Sequence, residues 1–146
     1  MNRLPSEEIL FKQLNAEDAL AAADYPASGS FIDVSGLERF AFLVMAGALT
    51  SELTLKVQQA SAVNGDLKDI TGATVVIPAT GDDKWYMIEV QTNHLDINND
   101  YHFVTLDVAG AAGDDDYGAI LFLGFNPGEM PVTQGADKGS VVSVAG

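Results

Sequence analysis

The sequence predicts an all-β fold: an antiparallel β-sandwich of jelly-roll-like kind, preceded by an N-terminal arm and followed by an extended C-terminal tail. Three observations carry that prediction. From Ser30 onward, apolar and polar residues alternate with period two in run after run. Turn residues separate these runs at short intervals, as in sandwiches and barrels. Helix-compatible spacing is confined to the first 27 residues, so no crossover helices are available to build a parallel sheet.

Residues 1–27 stand apart in composition. SEEILFKQL and NAEDALAAA are rich in Ala and Glu, Ser6 and Asn15 are candidate N-caps, and Asp18 follows Asn15 by three positions. Pro26 and the ASGS after it end any helix. This stretch is expected to be a partly helical arm that becomes ordered on a neighbour.

Residues 28–130 are expected to form the sandwich. SFIDV is the first strand candidate, and FAFLVMAG at 40–47 is nearly continuous in apolar character, as in a strand buried on both faces or lying at an interface. In LTLKVQQA at 53–60, Leu53, Leu55 and Val57 share one face and Thr54, Lys56 and Gln58 the other. Asn64-Gly65 is a favoured hairpin turn, and the TGA at 71–73 reads as a second turn before a short strand, TVVIP. Gly81, Asp82 and Asp83 turn the chain into KWYMIEVQ at 84–91, where Trp85 and Met87 oppose Tyr86, Ile88 and Val90. In YHFVTLDV at 101–108, the set His102, Val104, Leu106 and Val108 suits the core. The loop AGAAGDDD then leads to YGAILFLGF, the most apolar strand candidate of the chain. After Asn126-Pro127-Gly128, residues 131–146 carry few large side chains and are expected to be an extended tail able to add to a neighbouring subunit's sheet.

Composition narrows the function. The formal charge is −14, from 21 acidic and 7 basic residues, with Arg only at Arg3 and Arg39. Nucleic-acid binding needs clustered Lys and Arg to neutralise phosphates, so that partner class is disfavoured. The acidity suits solubility, or docking onto a basic or cation-bridged partner. Cysteine is absent, which excludes thiol chemistry, disulfides and Cys-based metal sites and fits folding in a cytoplasm. Neither a signal peptide nor a membrane span is expected, because no apolar run is long enough.

Motifs of catalysis are missing. There is no G-x-S-x-G elbow, and GADKGS at 135–140 has its Lys before the last Gly and so does not match a P-loop. The two histidines, His94 and His102, would need carboxylates to complete a zinc site. Asp96, Asn98 and Asp100, with Asp107 eleven residues after Asp96, have the spacing of a weak calcium loop. Tyr101 replaces its sharp-turn Gly and a strand follows, so an Asx-rich turn is the favoured reading. Asp114, Asp115 and Asp116 are read as a solvated loop tip, and Trp85, Tyr86, Phe122 and Phe125 mainly as packing residues, with Trp85 and Tyr117 the candidates for a carbohydrate-stacking surface. No catalytic residue and no cofactor is assigned.

SFIDVSGLERFAFLVMAGAL, LTLKVQQASAVNGDLKDITGATV, YHFVTLDV and GAILFLGFNPGEMP together cover about residues 30–131. In wording and order they resemble a family of small virion proteins of tailed bacteriophages, the head decoration or capsid cement proteins. The resemblance implies a non-enzymatic protein on the outer capsid surface of a virion assembled in the host bacterial cytoplasm. Its implied partners are the major capsid protein, whose subunit boundaries it would reinforce, and itself, as a homotrimer with terminal arms reaching onto neighbours. The same pattern also admits a tail or head-completion component.

Overall fold

The computed structural model describes residues 4–111, 116–127, 133–140 and 142. Among these, a single helical turn, α1 (Pro5–Glu8), precedes nine strands: β1 (Ile9–Ala19), β2 (Ala23–Tyr25), β3 (Ile32–Asp33), β4 (Arg39–Ala46), β5 (Leu53–Ala60), β6 (Lys68–Ile77), β7 (Trp85–Gln91), β8 (Phe103–Ala109) and β9 (Tyr117–Phe125). They form two antiparallel sheets. The first runs β1-β9-β4-β7; in the second, β8-β5-β6 is completed by β2 and β3, which pair with different parts of β8. Most connections pass from one sheet to the other, and β5–β6 is the hairpin expected around Asn64-Gly65.

The core lies between the sheets because alternation places one apolar set on each inner face. The first sheet contributes Phe40, Phe42 and Val44 from β4 and Ile120 and Phe122 from β9, all essentially inaccessible. The Phe42 and Phe122 rings meet edge to face at 5.3 Å, a favoured quadrupole geometry, and Phe40 stacks on Phe122 at 5.9 Å. Facing them are Leu53, Leu55 and Val57 of β5 and Val104, Leu106 and Val108 of β8. The all-β sandwich read from period-two alternation is therefore the observed architecture.

Three local expectations are corrected. Among the described residues of the expected partly helical arm over 1–27, helix is confined to Pro5–Glu8, where the Glu7 carboxylate accepts the Leu4 backbone N–H at 2.8 Å. Ser6 and Asn15 are not N-caps. Residues 9–19 instead form an edge strand of the first sheet, with Ile9 opposite Phe125 and Phe11 opposite Leu123. Helix-favouring composition lost to the apolar strand β9, which otherwise would leave a long hydrophobic edge unpaired.

The TGA at 71–73 is not a turn between strands but a bulge inside β6. Five steps from Asp69 to Thr74 span two on β5, from Gln58 to Lys56, and Gly72 supplies a φ of +82°. The irregularity lets both Ile70 and Ala73 face the core although they are an odd number of residues apart.

The tail is not a strand among its described residues. It lies along β1 of its own chain, where the Gln134 side-chain carbonyl accepts the Phe11 N–H at 3.0 Å and its amide donates to the Ile9 carbonyl at 2.6 Å. The Asp137 carboxylate accepts the next outward N–H, that of Gln13, at 2.6 Å. Side chains thus occupy backbone positions that a further strand would take.

Candidate functional site

The two outer faces of the sandwich differ in chemistry. On the second sheet, the outward positions of β5 are Thr54, Lys56 and Gln58, and Asp107 of β8 lies opposite both Lys56 and Asp24 of β2. Lys56 Nζ is 3.1 Å from the Asp69 carboxylate, which Gln58 also donates to at 2.8 Å. Hydrogen bonds from Gln58 and Lys56 hold the Asp69 carboxyl below the ordinary carboxylate range. Asp24 moves the other way, raised by partial burial and then by the charge and hydrogen bond of Asp107. This face is polar and predominantly acidic.

The outer face of the first sheet is apolar. Because Phe40, Phe42 and Val44 point inward, Leu43 and Met45 point outward, while Ala41, on the same side of the strand, is only 1% exposed. In register across β9, β4 and β7, Leu43 lies between Leu121 and Met87, Met45 between Ala119 and Trp85, and Ala41 between Leu123 and Glu89. Phe11 and Ile9 of β1 extend it beyond Leu123 and Phe125. Trp85 is 68% exposed, Met45 46% and Tyr117 41%, large values for apolar side chains. The charges on its paired rows are Glu89 and Arg39, and the Arg39 guanidinium sits 5.4 Å from the centre of the Phe125 ring. The both-parity apolar runs FAFLVMAG and AILFLGF signal this face in the sequence.

The calcium-like residues do not converge. Asp96 lies in the turn between β7 and β8, where its carboxylate accepts from Asn99 Nδ2 at 2.9 Å and pairs with Lys68 Nζ, while its N–H donates to Gln59 Oε1 at 2.8 Å. Those bonds, from Lys68 first and Asn99 second, hold its carboxyl below the usual range. Asn98 is in the same turn and Asp100 ends it in left-handed conformation, with φ of 63°. Asp107 is within β8, facing Asp24 and Lys56. Among the described residues, no group of three or more metal-ligating side chains forms.

His102 precedes β8 rather than continuing its core face; its Nδ1 is 2.9 Å from Asp33 Oδ1, with the ring about a third exposed. Asp33 also accepts the Ser35 N–H at 2.9 Å, and these bonds outweigh the effect of burial and lower its pKa. His94 lies in a short 3₁₀ turn. Asp114 and Asp115 fall outside the described residues. Asp116 is fully buried, correcting the solvated-tip reading: its carboxylate accepts the N–H groups of Thr50 at 2.6 Å and Ser51 at 3.1 Å. Phe122 is core, whereas Phe125 is on the outer apolar face.

The fold and these surfaces define an antiparallel β-sandwich domain with one polar and one apolar outer face. Comparison with family models, curated proteins and solved structures finds no match. No helix among the described residues is long and apolar enough to cross a membrane.

Proposed function

We propose that the protein is a structural component of a bacteriophage virion that binds the capsid surface and reinforces boundaries between major capsid protein subunits. The observation that carries this reading is the strand order. Counting β2 and β3 as one edge position, the sheets read 1-8-3-6 and 2-7-4-5, an order that supports reading the sandwich as a jelly roll, an architecture used by viral capsid domains and lectins. The resemblance of residues 30–131 to decoration proteins narrows that choice. The acidic outer face with Asp24, Asp107 and Asp69 supplies a surface complementary to basic stretches of a shell. Many weak contacts repeated over a lattice then add up by avidity.

Co-sedimentation with capsids of the phage that encodes the chain tests this. The expected result is saturable binding that falls when salt is raised, as docking through the acidic face requires; a chain that stays in the supernatant overturns the proposal.

The exposure of Trp85 and Tyr117 on one sheet face favours a second reading, a carbohydrate-binding virion module. Glycan-array binding that is lost in Trp85→Ala, in a folded protein, would select it over the first.

A further inference from the structure

We infer that the apolar outer face of the β1-β9-β4-β7 sheet is covered in solution by the same face of a second copy of this chain, giving a three-interface stack of four sheets. The pairing leaves the acidic face free for a capsid and excludes the carbohydrate reading, which needs Trp85 and Tyr117 uncovered.

The sandwich contains its own control. Its other outer face shows how this chain builds a sheet surface for water: Thr54, Lys56 and Gln58 alternate against buried leucines. On β4 and β9 that alternation is abandoned, and Leu43, Leu121 and Leu123 stand where polar residues would. Such a face is the pattern of a sheet packed on both sides.

Charge selects the occupant. A chain of net charge −14 repels a second copy through most of its surface. On the paired rows of this face, Arg39 and Glu89 cancel, so here two copies can approach without bringing unbalanced carboxylates together. An apolar, neutral sheet face is matched by another such face, as the two inner faces of this fold already are.

The area is that of a modest interface. Four strands about 4.8 Å apart and seven residues long at about 3.4 Å per residue give a flat footprint of about 450 Å², within the ~300–600 Å² of the largest patch on a typical monomer. The exposed part is concentrated in Trp85, Met45 and Tyr117, so each partner contributes less than the ~800 Å² of a standard interface and the pair is one that dissociates on dilution. Stacking of like faces is isologous and closes at two copies, unlike the homotrimer the resemblance implies.

Light scattering on the purified full chain tests the pairing, with an expected mass twice the 15.4 kDa of one chain. Met45→Glu and Trp85→Glu are expected to return the mass to one chain with the β-rich circular dichroism retained. Val76→Glu, at a 51% exposed position on the other outer face, is expected to leave the pair intact. Trp85 is the sole tryptophan, so the unmodified protein also reports on the face without any substitution. Its emission is expected to shift red, and its quenching by acrylamide to rise, on dilution through the dissociation range. A single-chain mass at ~0.1 mM, a mass of three chains, a pair that survives both glutamate variants, or emission indifferent to dilution would each overturn the inference.

Discussion

Asp116 accepts the backbone N–H of Thr50 at 2.6 Å, and this one carboxylate ties the turn after β4 to the start of β9. The Thr50 hydroxyl donates to the same oxygen at 3.3 Å and the Ser51 N–H at 3.1 Å, while the Asp116 carbonyl accepts the Leu20 N–H. Replacing Asp116 by Ala removes the buried carboxylate that accepts all three bonds and is expected to cost about 1–3 kcal/mol. Urea denaturation monitored by Trp85 fluorescence measures it, and a loss below about 0.5 kcal/mol would contradict the role given to this carboxylate.

Asp24 and Asp107 face each other across β2 and β8. The folded-state pKa of Asp24 is raised, so its contribution to stability is full below the unfolded value of 3.8 and is lost as pH rises through the folded value. Asp24→Asn removes the like-charge opposition and is expected to stabilise the protein by about 0.2–1 kcal/mol at neutral pH, with no gain at pH 3. Melting temperatures at the two pH values decide the matter.

Asp33 behaves in the opposite sense. Its folded pKa is lowered, so the stability it confers is present above the unfolded value of 3.8 and is lost as pH falls through the folded value. His102→Ala removes one of the bonds to its carboxylate, and the Asp33 pKa followed by NMR is expected to rise toward 3.8. An unmoved titration would show that the Ser35 amide alone sets it.

Gly110 has a φ of +92°, and a Cβ placed there would lie 2.5 Å from the Glu52 carbonyl oxygen. Both the conformation and the backbone clash oppose any side chain. Gly110→Ala is expected to destabilise by about 1–3 kcal/mol. Gly29 shares the positive φ, but a Cβ there would meet no atom within 4 Å, so Gly29→Ala should cost visibly less in the same denaturation assay.

Gln134 bonds to both the Phe11 N–H and the Ile9 carbonyl of β1. Gln134→Ala is expected to accelerate hydrogen exchange at Phe11 while leaving the core amides of β5 unchanged. Equal protection at Phe11 in both proteins would assign the edge's order to β9 alone.

Much of the sandwich was legible in the sequence because period two is set by burial on one face. β5 runs over Leu53–Ala60 and β9 over Tyr117–Phe125, the stretches marked by alternation and turns. β1 was not legible, since EILFKQL carries both a helical spacing and an alternating one, and only the arrival of β9 more than a hundred residues later decides between them. The bulge at Gly72 was hidden for a related reason: a glycine between threonine and alanine is a turn by local chemistry and a bulge by pairing. Of the site residues, the acids of the calcium-like loop satisfied a spacing rule, but Asp107 belongs to a strand and Lys68 neutralises Asp96 from another. The Asp33–His102 pair and the Gln134 clamp link residues 69 and 123 or more positions apart and leave no trace in local pattern.

The pairing of β1 with β9 also sets the order of events during synthesis. Ile9 emerges from the ribosome early, yet its partner Phe125 follows only after nearly the whole domain has been made. Until then the first sheet lacks the strand that joins β1 to β4, so its apolar residues wait unsheltered in the nascent chain. Such long-range closure places the domain among slow folders, in the millisecond-to-second range of all-β topologies. Chaperones that bind extended apolar segments therefore have their window of action before residue 125 leaves the exit tunnel.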